Sequence, residues 1–171
     1  MITEKAIRSH LIAAVHEFVR SASRISGVQR VALIGSLATA KANPKDADVL
    51  VTVVDEVDLT SLAKYGRRLK GTAQQINHGA DIFLANAKGE YIGRICQWKD
   101  CRRGVRLSCD ARNCGLRPFL HDDLDTVCLD AHLIASPPLE LWPKVIERSS
   151  MPSDVRETLL SSSHLVSNNR T

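Results

Sequence analysis

The chain has 171 residues, 44% hydrophobic and 25% charged, with a formal net charge of +4, which fits one globular domain and needs no second large one. No apolar stretch reaches the roughly 18–20 residues of a membrane span. The N-terminus lacks the charged-then-apolar pattern of a secretory signal, so a cytoplasmic protein without membrane contact is expected.

Residues 4–25 set Ile7, Leu11, Ala14, Val15, Phe18, Ala22 and Ile25 on one helical stripe, with Thr3 as N-cap and Gly27 closing the helix. VALIG (31–35) reads as a short buried strand because its apolar and β-branched residues run without a break, and ADVLVTVV (47–54) reads the same way. Leu59, Leu62, Gly66, Leu69, Ala73 and Ile76 alternate three and four residues apart, which predicts a helix over 58–76. ADIFLA (80–85) supplies a third strand. The order helix, strand, loop, strand, helix, strand predicts an α/β (α+β) fold, a small mixed β-sheet with helices on one side.

The later part has a different character. AKGEYIGRICQW turns through a hairpin into another strand, a cysteine- and arginine-rich segment follows, and then the strand-like run TVCLDAHLIA, where Cys128 is expected in the core. Prolines in SPPLELWPKVI (136–146) preclude a long helix and predict an extended wrap with Trp142 packed down. Ser153 is placed to cap a last short helix, and SNNRT is expected to fray. The expected organisation is a core over 1–92, a Cys/Arg-rich extension packed on it over 93–150, and a short helix with its tail over 151–171.

Two details of the core carry chemistry. A strand that ends in Gly35-Ser36 offers backbone N–H groups where glycine lets another group approach, an arrangement suited to nucleotide phosphates. Asp46 and Asp48 are alternate residues of a strand, so their carboxylates project to one face, where two like charges favour a shared cation such as Mg²⁺. Asp81, at the start of the next predicted strand, is the third acid of the set.

Gly35-Ser36, nine residues, Asp46, one residue, Asp48 and a lone Asp81 in an apolar strand together resemble the nucleotidyltransferase superfamily that includes DNA polymerase β. The likeness covers residues 28–86 and is greatest to the minimal nucleotidyltransferases. It implies that Gly35 and Ser36 hold a nucleoside triphosphate, that Asp46 and Asp48 bind two Mg²⁺ ions, and that Asp81 binds one ion and helps deprotonate an acceptor hydroxyl. The implied activity is transfer of a nucleoside monophosphate to RNA, protein or a small molecule. The alternative is a catalytically inactive relative that serves as a nucleic-acid-binding or antitoxin-type module. The cysteine- and arginine-rich tail departs from the added helical domain usual in members that act on nucleic acids or antibiotics, which leaves the acceptor open.

Cys96, Cys101, Cys109 and Cys114 form two pairs, each spaced by four residues, with seven between the pairs. Four thiolates would close a structural Zn²⁺ site. Small buried hydrophobes are the other reading of the same residues. His121, Asp122, Asp123 and Asp125 are expected to form a polar turn, a second metal site being the less favoured reading, and His10, His16, His78, His132 and His164 suggest no ligand set. Arg94, Lys99, Arg102, Arg103, Arg106, Arg112 and Arg117 face only Asp100 and Asp110 in the same stretch. That excess suits either a polyanion partner or a solvated surface.

Overall fold

A computed structural model of the chain describes residues 1–100 and 109–161. The first helix, α1 (Glu4–Ala22), starts where the Thr3 hydroxyl accepts a hydrogen bond from the Ala6 amide. β1 (Val28–Ile34) and β2 (Asp46–Val53) are antiparallel, α2 (Thr60–Gln74) crosses over, and β3 (Gly79–Ala85) returns parallel to β2. A hairpin leads to β4 (Tyr91–Ile95), followed by β5 (Leu120–His121), a short α3 (Ala131–Ala135), β6 (Leu139–Trp142), β7 (Ile146–Glu147) and α4 (Ser153–Val155).

The seven strands among the described residues join one mixed sheet in the order β5-β4-β3-β2-β1-β6-β7. The sheet is therefore larger than the sequence pattern implied. Residues 93–150, expected as an extension, contribute most of β4 and all of β5, β6 and β7, so they widen the sheet at both edges. The proline-rich stretch 136–146, expected as a wrap, pairs β6 with β1, and Trp142 packs against the core as anticipated. Cys128 is exposed rather than core: the run around it gives way to α3, whose Asp130 side chain accepts from the His132 amide. Ser153 begins α4 instead of capping it. The tail SNNRT lies outside the described residues.

The core follows from strand alternation. Val31 and Leu33, Ala47, Val49, Val51 and Val53, and Ala80, Ile82 and Leu84 all point toward α1 and α2, where Leu11, Val15, Phe18, Leu62 and Leu69 meet them. The opposite face has a much smaller apolar cluster of Ala32, Ile34, Leu50, Ala85 and Ile134, under α3. The even-numbered positions of β2 are on that second face, and so Asp46 and Asp48 face away from the helices.

Candidate acidic site on the open face of the sheet

The parallel register of β2 and β3 decides where the third acid goes. Asp48 stands opposite Asp81, and Asp46 opposite Gly79. Paired residues of neighbouring strands share a face, so Asp46, Asp48 and Asp81 are brought to one side of the sheet. Two glycines clear room for them. Gly35 turns at φ +72°, a conformation L side chains rarely adopt, and a Cβ there would sit 2.6 Å from Asp48 Oδ2. A Cβ on Gly79 would collide with Asp46 Oδ1. Gly79 carried no sequence signal, because only the register places it beside Asp46.

After Gly35 the chain makes a 3-10 turn (Ser36–Ala38), with the Thr39 hydroxyl closing on the Ser36 carbonyl at 2.7 Å. This loop is held from behind by a residue the helical stripe gave no reason to single out. Arg8 of α1 is 6% exposed, donates to the Lys41 carbonyl at 2.7 Å and the Leu37 carbonyl at 3.3 Å, and pairs with Asp154 at 2.6 Å. One buried guanidinium thus ties the loop between Ser36 and Asp46 to α1 and α4.

Charge in the site is strongly unbalanced. Burial, then the carboxylates of Asp81 and Asp46, push Asp48 up to about 7; Arg94 pulls the other way and is outweighed. Arg94 was read from sequence as part of a basic stretch. Here its guanidinium bridges Asp81 Oδ1 at 3.2 Å and Asp123 Oδ2 at 2.6 Å. Asp123 is fully buried and also accepts from the Tyr91 hydroxyl at 2.7 Å, so the expected polar turn contains a carboxylate that anchors the cation beside the site. Burial and that bond to Asp123 push the Tyr91 phenol above its ordinary range. Arg112 pairs with Asp125 and Arg117 donates to the Val57 carbonyl, while Arg102, Arg103 and Arg106 lie outside the described residues.

Among the described residues, the group that brings three metal-ligating atoms within 4.8 Å of one another is Cys109, Asp110 and His121, not the aspartates. The three aspartates line one face without converging that tightly. Of the four cysteines expected as a zinc clasp, Cys96 is buried, Cys109 and Cys114 are half-buried, and Cys101 lies outside the described residues. A shallow groove of about 270 Å³ between α1 and α2, lined by His10, Phe18, Tyr65 and Arg68, is on the helical side of the sheet and does not serve the aspartates. No described helix is long and apolar enough to cross a membrane.

A profile for a family of unknown function, DUF6932, matches residues 1–108. The match takes in Gly35, Ser36, Asp46, Asp48, Asp81 and Arg94 and stops before Cys109 and His121. No curated protein and no solved structure matches the chain.

Proposed function

From a chain that belongs to DUF6932, a family whose activity is unknown, we propose a nucleotidyltransferase-like fold and a Mg²⁺-dependent transfer of a nucleoside monophosphate from a triphosphate to a hydroxyl. The observation that carries this reading is the Asp48–Asp81 register, which sets two carboxylates side by side, with Asp46 two residues back, under the Gly35-Ser36 bend.

The donor set fits a hard divalent cation. Carboxylate oxygens are its preferred ligands, and a carboxyl held near 7 by burial and like charge is one whose ionised form a cation would stabilise. Asp46 and Asp48 would hold the cations, and Asp81 would contribute its second oxygen. Bound divalent cations would supply charge stabilisation at the entering and departing oxygens of phosphoryl transfer. The chain's own residues do the rest. The bend at Gly35-Ser36 leaves the approach to Asp48 clear of side chain, as a triphosphate requires. Asp81 would accept the proton of the attacking hydroxyl, and Arg94, fixed by Asp123, would be a positioning residue that holds Asp81 in line.

The test is incubation of the full chain with each labelled triphosphate, Mg²⁺ and a cell extract. Label should enter one class of macromolecule or small molecule, and Asp48→Asn should lower the rate by roughly 100-fold or more. Unchanged turnover in Asp48→Asn would reject the assignment. Salt-dependent nucleic-acid binding that persists in a variant lacking Asp46 and Asp48, with no label transferred, would replace it with an inactive binding module.

A further inference from the structure

His121 is 7% exposed and each of its ring nitrogens faces a different partner. Nε2 lies 2.5 Å from Asp110 Oδ1, and Nδ1 lies 3.7 Å from Cys109 Sγ. The other oxygen of Asp110 is also committed, accepting from the Thr126 hydroxyl at 2.9 Å. The Asp110 carboxylate can only accept, so Nε2–H donates to it, and in a neutral ring the Nδ1 lone pair then points toward the cysteine sulfur.

We propose that Cys109 Sγ and His121 Nδ1 are ligands of a zinc-class ion, with Asp110 orienting the imidazole through Nε2. The separation is the argument. A tetrahedral ion with bonds of about 2.3 Å to sulfur and about 2.0 Å to nitrogen places those atoms about 3.5 Å apart. Cys109 and His121 stand at nearly that distance. The row Thr126, Asp110, His121 is the carboxylate–histidine arrangement that fixes a metal-binding ring in the correct tautomer. Asp110, with both oxygens engaged, belongs behind the histidine rather than on the ion. Two protein ligands leave the remaining positions to solvent, and the sulfur–imidazole pair selects a softer ion than the aspartates would.

This site differs from an all-cysteine clasp in its histidine, and its location gives it a task. His121 pairs with Arg94 across β4 and β5, and Asp123 two residues on holds that arginine. An ion on Cys109 and His121 would clamp the segment before β5 to the sheet edge that carries Asp123, and so secure Arg94 beside Asp81. A thiol hydrogen bond from Cys109 to the same nitrogen is the competing account, and it predicts no bound metal.

The experiment uses the full chain purified without chelator. Elemental analysis should find about one equivalent of zinc. Cobalt substitution should give a sulfur-to-cobalt charge-transfer band that Cys109→Ser removes and Cys128→Ser, at an exposed position, preserves. Less than about a tenth of an equivalent of zinc together with no such band would overturn the proposal, as would a band that survives in folded Cys109→Ser. Asp110→Asn does not depend on the folding of the cysteine variant. It should keep the band while weakening metal affinity about 10–100-fold, and unchanged affinity would overturn the orienting role. None of these readings involves nucleotide transfer, so the outcome is independent of the activity proposed for the aspartates.

Discussion

The two faces of the sheet share the same strands and are built on opposite principles. On the helical face every inward position of β2 is Ala or Val, and Leu62, Leu69 and Val15 fill the space above them with no polar demand to satisfy. On the other face the alternate positions of the same strand begin with Asp46 and Asp48 before they turn to Leu50 and Thr52, and a fixed cation beside them, Arg94, is shared by Asp81 and Asp123. Stability is thus concentrated on one side and stored electrostatic tension on the other. The difference teaches that removing a side chain should have opposite signs on the two faces.

The largest effect expected is on the helical face. Leu62 is fully buried, and Leu62→Ala should cost about 3–5 kcal/mol in denaturant unfolding while leaving Mg²⁺ affinity of the folded protein unchanged. A loss below about 1 kcal/mol would show that the packing there is not what carries the fold.

The open face should give the reverse. Asp48 has its folded pKa raised from 3.8 to about 7, so between those values the folded state keeps a proton that the unfolded state has released. Stability without divalent cations should therefore fall as pH rises from about 4 to about 7 and level off above, by up to about 4 kcal/mol. Asp48→Asn should flatten that slope and unfold later than the parent at pH 8, and Mg²⁺ should stabilise the parent alone. A parent chain with the same unfolding midpoint at pH 5 and pH 8 would contradict this account of the acidic face.

Asp123 tests whether that face also contains ordinary structural charge. It is fully buried and holds Arg94 and Tyr91, so Asp123→Asn should destabilise by about 2 kcal/mol, unlike its neighbour Asp48→Asn. A stability gain instead would mean that the arginine needs no anchor. The smallest effect is at the start of α1, where Thr3→Ala removes the bond to the Ala6 amide. It should cost about 1 kcal/mol in thermal unfolding with no change in cation binding, and a change in binding would show that the two faces are coupled through the helix.

Sequence by itself determined the elements of the first half and the identity of the acids. Apolar alternation at periods of two and of three to four is a local property, and it located α1, β1, β2, α2 and β3 to within a few residues of where they lie. The spacing Asp46-Ala47-Asp48 likewise fixed one face for both carboxylates before any strand had a partner. Tertiary structure alone decided the rest. Asp81 joins them only because β3 pairs with β2 in parallel at that register, which also sets Gly79 beside Asp46, while Arg94 and Asp123 acquire meaning from the pairing of β4 with β3 and β5. Cys109 and His121, separated by 12 positions in the chain, meet through the fold of the segment that leads into β5, which no helical or strand period records. Pairing between distant strands depends on backbone hydrogen bonds that any residue can make, so no local pattern records which strand will be the neighbour.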